Sequence, residues 1–332
     1  MGVGASPTLS VVVPIYNESQ AQFAETLAAL AVALELSSWR APEVVIVDDG
    51  SEPPVPSVVV GSADVRVIRQ PNQGRFEARR VGIDAARGEY VLLLDSRVTI
   101  EPDALRWVCG QVQAGASAWN GHTVTANLTT PYSRFWDVIT FAAYGDYLRQ
   151  PKTTSYGIDD YDRYPKGTGH FLAPRSWLLD AISDFETLYE DLGLSSDDTH
   201  LLRSIARRDR IHISPMFASS YQSRESLIPF LRHTLRRGTT FVDGHSRRGA
   251  RFRPVVLGTL PASLVGLILA VRHPRAAVAG LGGMSLAGAL FARRQGRPAR
   301  EAARFGALVP PFALAYSLGI WRGLVLAVLR SI

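Results

Sequence analysis

The sequence predicts an α/β domain with a largely parallel sheet, followed by a membrane region of apolar helices. Three observations carry this. Gly88-Glu89-Tyr90-Val91-Leu92-Leu93-Leu94-Asp95-Ser96-Arg97 contains five consecutive apolar residues entered through a glycine and ended by Asp95, the pattern of a strand buried on both faces. Strand and helix patterns alternate through the first 95 residues, an α/β nucleotide-binding plan. Three uncharged runs then follow one another near the C-terminus.

Taken in order, Leu9 to Glu18 reads as a first strand ending in a proline-marked turn. Phe23, Leu27, Leu30, Ala31 and Leu34 fall at helical spacing between Gln20 and Leu36. Glu43–Val47 is a second strand, closed by Asp48-Asp49-Gly50-Ser51, and Val65–Ile68 a short third. Asn72-Gln73-Gly74 turns into a helix from Arg75 to Arg87, which leads into the central strand. Open α/β sheets bind ligands along their carboxyl edge, where Asp48, Asp49 and Asp95 all fall. A carboxylate on the second strand suits a base imide or ribose hydroxyls. One on the central strand suits a divalent cation held against a diphosphate. Each aspartate also fits an ordinary turn or helix cap. No G-x-G-x-x-G follows the first strand and no G-x-x-x-x-G-K-[ST] loop exists, which disfavours dinucleotide enzymes and P-loop NTPases.

Charge is divided unevenly. Residues 224–332 hold 17 Arg against Glu225, Asp243 and Glu301, while the first 223 residues hold 19 basic and 27 acidic side chains. The arginines flank apolar runs and do not surround an aromatic reading surface, so an anionic membrane is the expected partner and nucleic acid is not. The lone Cys109 excludes an intrachain disulfide framework and a cysteine zinc cage, and fits a reducing compartment. Met1 leads straight into a strand pattern, so no signal peptide is expected.

Six elements in order resemble family-2 glycosyltransferases. They are Val11-Val12-Val13-Pro14-Ile15-Tyr16-Asn17-Glu18, Val47-Asp48-Asp49-Gly50-Ser51, Asn72-Gln73-Gly74, Ala78-Arg79 with Gly82, Ala86-Arg87-Gly88-Glu89-Tyr90, and Leu94-Asp95-Ser96. The resemblance, to membrane-anchored bacterial members, implies a GT-A (Rossmann-like) fold and inverting transfer from a nucleotide-diphosphate sugar, with UDP the family habit. It implies that Pro14, Tyr16, Glu18, Asp48 and Asp49 line the nucleoside pocket, that Arg79 lies near the diphosphate, and that Asp95 binds Mg²⁺ or Mn²⁺. The sequence departs from the family's Asp-x-Asp metal motif, with Arg97 in place of the second carboxylate. An extended segment would point residues 95 and 97 the same way. Asp95 then holds a cation with other ligands, or Arg97 neutralises phosphate in its place, or the donor site is altered.

Gly167-Thr168-Gly169-His170 is similar to the family's active-site floor, which puts His170 near donor phosphate or acceptor. Ser195-Ser196-Asp197-Asp198 opens a helix with an acidic first turn, a favourable cap in its own right. The resemblance makes Asp198 the general base, with Asp197 as the alternative, because transfer to a hydroxyl requires a carboxylate to take the acceptor proton. Arg224 echoes an acceptor- or diphosphate-contacting position. The aromatics between Tyr132 and Gln150 suit either an interface helix or an acceptor platform, and residues 159–164 read as a solvated loop.

From Ser226 the apolar Leu227, Phe230, Leu231 and Leu235 share one helical face and Arg232, His233, Arg236 and Arg237 the other, an interfacial pattern. Residues 255–271, 276–292 and 305–321 are uncharged, each about 25 Å of helix and near the lower limit for a span. The expected organisation is a catalytic domain at 1–223, a basic amphipathic segment at 224–253 and two to three membrane helices at 254–332. The arginine bias puts the catalytic domain in the cytosol on a multi-pass inner-membrane protein. A polyprenyl-linked or cell-surface glycan acceptor would explain the anchor. A catalytically silent glycosyltransferase-like scaffold and a nucleotidyltransferase-like enzyme are the alternatives.

Overall fold

The computed structural model describes residues 6–223, 226–247 and 250–330. The chain divides into two units, Met1–Ala126 with Asp146–Glu186 and Asp197–Gln222, and Asn127–Gly145 with Thr187–Ser196 and Ser223–Ile332. Two segments inside the expected catalytic domain, 127–145 and 187–196, therefore join the C-terminal unit.

The first unit is built on a nine-stranded mixed sheet. Strands β1 (Thr8–Ile15), β2 (Arg40–Asp48), β3 (Asp64–Arg69) and β4 (Tyr90–Leu94) form its parallel half, ordered β3-β2-β1-β4. Val44–Val47 and Val91–Leu94 are fully buried, as their continuous apolar runs require. Helices α1 (Gln20–Glu35) and α2 (Arg75–Ala85) supply the crossovers, and α3 (Ala104–Gln113) and α5 (Arg175–Ser183) follow later in the same unit. The register pairs Ile15 with Asp48 and Val12 with Leu93, so the three strand ends open onto one edge. Beyond β4 the sheet continues through β5 (Val98–Ile100), β6 (Ala118–Thr125), β7 (Thr154–Tyr156), β8 (His170–Pro174) and β9 (Ile211–Tyr221), with β8 antiparallel to β4 and His170 opposite Leu94. Helix α2 lies tight on β1 because Gly82 has no side chain: a Cβ there would sit 2.3 Å from Val12 Cγ1.

At the opposite edge a buried carboxylate fastens the parallel half. Glu43 accepts from Ser10 Oγ at 2.5 Å, the Arg87 amide at 2.5 Å and Arg66 at 2.9 Å. Burial pushes this carboxyl up, but those hydrogen bonds and the Arg66 charge outweigh it and hold it below its ordinary 4.5. A depressed native value contributes stability above the unfolded value, and that contribution is lost as pH falls through the native one. Glu43→Gln is expected to cost roughly 2–3 kcal/mol at pH 7. It should also flatten the loss of stability below pH 4.5, measured by thermal unfolding across pH.

The second unit is helical. It holds most of α4 (Pro131–Leu148), then α7 (Leu227–His245), α8 (Arg253–Arg272), α9 (Pro274–Arg294) and α10 (Ala299–Arg330). Phe135 and Val138 of α4 pack with Phe230, Ala292, Ala302 and Phe305 in one core, with Tyr132 and Trp136 against it, so these three aromatics of α4 serve packing. Helices α8, α9 and α10 are each long and apolar enough to cross a membrane.

Candidate active site

The site forms where the strand ends meet the start of α6 (Asp197–Arg208), all within the first unit. Its centre is Arg79, 1% exposed. Nη2 donates to Asp95 Oδ1 at 2.6 Å, and Nη1 donates to Asp197 Oδ2 at 2.5 Å and Asp198 Oδ1 at 3.1 Å. One guanidinium thus joins the carboxylate at the end of β4 to both carboxylates at the start of α6. Arg75, one helical turn earlier on the same face of α2, donates to Asp197 at 2.7 Å and lies 3.5 Å from Asp198. Thr168 Oγ1 also donates to Asp198.

The two aspartates of α6 are not equivalent. The Asp197 side chain is 2% exposed and enclosed by the two arginines, whereas Asp198 is 37% exposed. Asp95 lies partly open to solvent. Its main-chain N–H donates to the Gly169 carbonyl at 2.9 Å, and a Cβ at Gly169 would stand 2.8 Å from Asp95 Oδ2. Glycine at 169 is what leaves room for that oxygen.

Around this centre the strand ends are cross-tied. Asp48 accepts from the Ser51 and Val55 amides at 2.8 and 3.1 Å. Burial pushes its carboxyl up, but the Ser51 hydroxyl, these amides and Arg69 bring it below the usual range. Asp49 accepts from the Gln73 and Gly74 amides, both at 2.9 Å, and from Gln70 at 2.8 Å, so it fixes the loop that delivers α2. Asn17, at φ 48°, accepts from the Glu52 amide at 2.8 Å. Tyr16 is exposed and Pro14 buried at the same strand end.

Arg97 departs from the extended geometry expected of it. Residues 95–97 form a turn into β5, so the same-side relation between residues 95 and 97 does not hold. The Arg97 guanidinium grips Glu18 instead, with Nε at 2.6 Å and Nη2 at 2.7 Å. His170 is enclosed within the sheet: Nδ1 lies 2.8 Å from Ser219 Oγ and the ring packs on Phe217. Burial lowers its pKa to about 3, which keeps it neutral. Tyr161, in the stretch expected to be a solvated loop, is buried with its hydroxyl on the Thr199 carbonyl. Arg224 lies outside the described residues. Arg75 and Thr168 were not anticipated as site residues. Arg75's spacing of four from Arg79 was the signal available for the first, and the Gly167–His170 floor segment contained the second without singling it out.

Residues 10–155 match the family model described as Glycosyl transferase family 2. The chain carries a family-2 glycosyltransferase domain. Among similar curated proteins are the succinoglycan biosynthesis protein ExoO of Rhizobium meliloti, 34% identical over 33% of this chain and 31% of that protein. Another is the undecaprenyl-phosphate 4-deoxy-4-formamido-L-arabinose transferase of Pseudomonas aeruginosa, 38% identical over 29% of this chain and 30% of its own. The matched stretch spans under a third of the length of both relatives. The fold resembles that of a mannosyltransferase from Pyrobaculum calidifontis solved with GDP-Man and Mn²⁺. The TM-score is 0.55 at 15% identity, covering 96% of this chain and 87% of that one. The glycosyltransferase domain has the GT-A fold.

No group of three or more His, Cys, Asp or Glu side chains among the described residues is arranged to hold a metal ion. A Mg²⁺ or Mn²⁺ ion that completes its shell with substrate phosphates and water needs no more than one protein carboxylate, and Asp95, partly open to solvent at the strand end, is a carboxylate of that kind.

Proposed function

We propose that the protein transfers a sugar, with inversion, from a nucleoside-diphosphate sugar to a hydroxyl of a lipid-linked or cell-surface glycan acceptor at the cytoplasmic face of a membrane. The observation that carries this reading is the single Arg79 guanidinium shared by Asp95, Asp197 and Asp198. It fixes a diphosphate-side carboxylate and a solvent-reachable carboxylate at one place, as the two halves of the reaction require.

Asp198 is the general base. It takes the acceptor hydroxyl proton as the acceptor oxygen bonds to the anomeric carbon. The bond from that carbon to the diphosphate oxygen breaks, and its electron pair leaves with the diphosphate. Asp197, enclosed by arginines, is a positioning residue, and Arg75 and Thr168 orient Asp198. Asp95 would hold Mg²⁺ or Mn²⁺, which when bound neutralises charge on the leaving diphosphate. Tyr16 and the Asp48–Asp49 turn form the nucleoside side of the pocket. The Glu18–Arg97 pair ties the end of β1 to the turn after β4 and leaves the cation to Asp95.

The relatives' names support a surface-glycan or polyprenyl-phosphate setting, and the candidate spans and arginine bias support a multi-pass membrane protein with its catalytic unit in the cytosol. Incubating purified membranes with a panel of radiolabelled nucleotide sugars, UDP-sugars included, tests the activity. Transfer from one donor with release of its nucleoside diphosphate is expected, and silence across the panel with a folded protein would favour a non-catalytic scaffold. Gly169→Val should weaken Mn²⁺ binding by crowding Asp95 Oδ2 while leaving the fold intact, read by spin-resonance titration of free Mn²⁺.

A further inference from the structure

We infer that Asp243, buried in α7, is a positioning residue for sugar transfer: it holds the strap of residues 187–196 by both ends, and that strap places the base Asp198. This rests on the reading of Asp198 given above and adds what fixes its position. In the sequence, Asp243 stands out only as one of three acidic residues among the 17 arginines of residues 224–332.

The strap has no α-helix or strand of its own, only a short 3-10 turn at Leu192–Leu194. Its main-chain groups must therefore find partners on side chains. Asp243 supplies two of them. Its Oδ1 accepts from the Leu188 amide at 2.8 Å and its Oδ2 from the Ser196 amide at 2.7 Å. Other contacts hold the middle and the entry. The Tyr189 hydroxyl donates to the Thr239 carbonyl at 2.6 Å, Arg236 to the Gly193 carbonyl at 2.8 Å, and Arg330 to the carbonyls of Thr187 and Tyr189. The strap, α7 and α10 all belong to the C-terminal unit.

Two helices with touching backbones give the strap its seat. Gly238 of α7 meets Gly319 of α10 with no side chain between them: a Cβ on Gly238 would fall 2.3 Å from the Tyr316 carbonyl, and one on Gly319 would fall 2.1 Å from the Leu235 carbonyl. Thr239 Oγ1 donates to the Gly319 carbonyl at 3.1 Å, and Val242 packs with Ile320. The Tyr189 hydroxyl reaches this seam, since a Cβ on Gly323 would fall 2.5 Å from its oxygen. Thr239 and Asp243, one helical turn apart on α7, therefore meet the strap on one face.

Of these ties the Asp243 pair is the strongest. Arg236 is exposed, so water competes for its bond, whereas Asp243 is 1% exposed. A carboxylate taken out of water is costly unless it is hydrogen-bonded, and bonds to a charged acceptor are about twice as strong as neutral ones. Losing one would leave a main-chain N–H without its acceptor. The link from strap to base is covalent. Ser196 is followed directly by Asp197 and Asp198, so the grip on Ser196 sets where the first turn of α6 begins. Arg79, Arg75 and Thr168 orient the Asp198 carboxylate. Asp243 fixes the backbone from which that carboxylate projects.

Asp243→Asn in the full-length protein tests this. The amide keeps the size of the side chain but turns one of its two acceptors into a donor, which then faces a main-chain N–H. Binding is measured with UDP and Mn²⁺, and transfer with the nucleotide sugar that is active in the membrane panel. The expected result is a fall in kcat of about 10²-fold, the scale of a base displaced by an ångström, with donor KM and the UDP bound per mole of protein unchanged. A residue that merely supports the fold would lower bound UDP and kcat together. That outcome would overturn the inference, and so would an unchanged kcat. Adding Asp243→Asn to Asp198→Asn separates the inference from the reading beneath it. If Asp243 acts through Asp198, the double variant is no slower than Asp198→Asn alone, whereas a further loss of about 10²-fold would mean that it acts elsewhere. An Asp198→Asn protein as fast as the unaltered one would instead sink the assignment of the base, whatever Asp243→Asn does.

Discussion

Asp198→Asn is expected to reduce sugar transfer by roughly 10² to 10⁴-fold, the usual contribution of a general base, with little change in stability or in nucleoside-diphosphate binding. The reason lies in its exposure. Asp198 is reachable while Asp197 beside it is sealed between Arg75 and Arg79. The amide keeps the size of the side chain and can still accept from Thr168, but it cannot take a proton from an acceptor. Transfer rates and donor affinity measured on the same preparation separate chemistry from binding. If Asp198→Asn loses donor binding and transfer equally, Asp198 belongs to the donor pocket and not to the acceptor side. Asp197→Asn should behave differently, because its carboxylate neutralises buried guanidinium: stability falls together with activity.

Arg79→Ala carries the largest expected effect on the fold. It removes the guanidinium that, among the described residues, ion-pairs with all three carboxylates, and leaves Asp197 enclosed with Arg75. Breaking a buried pair on one side costs about 3–5 kcal/mol. At about 2–4 °C per kcal/mol for a unit of this size, the melting temperature should fall by roughly 10 °C. Arg79→Lys should recover little of this, since a single ammonium lacks the planar fork that reaches Asp95 through one nitrogen and the α6 aspartates through the other. Arg79→Met combined with Asp197→Asn should recover more, because neither member of the pair is then left charged. Thermal unfolding in detergent checks all three variants. A melting temperature unchanged in Arg79→Ala would mean that the carboxylates are held apart by other contacts.

What the sequence disclosed and what it concealed divide along sequence distance. Strands β2 and β4 of the parallel half were legible because each is an apolar run closed by an aspartate, Val44–Asp48 and Tyr90–Asp95. Asp95 and Asp198 were legible as candidates because each ends or begins a recognisable element. Arg97 was misread because its direction depends on β5 pairing with β9, some 120 residues away, which bends residues 95–97 into a turn and aims the side chain at Glu18. Arg79 was expected near the diphosphate, but its burial was not legible, because it depends on how closely Gly82 seats α2 on Val12. In the C-terminal unit, hydropathy identified the apolar helices but said nothing of Gly238 and Gly319. Their contact, made across 81 residues of chain, is what couples α10 to a basic neighbour.

The most direct measurement is a structure of the full-length protein with an intact nucleoside-diphosphate sugar and Mn²⁺, using Asp198→Asn to prevent turnover. The account predicts the cation bound between Asp95 and the diphosphate, and the anomeric carbon presented toward residue 198. A diphosphate bound away from Asp95, or a sugar whose anomeric carbon faces away from residue 198, would contradict it.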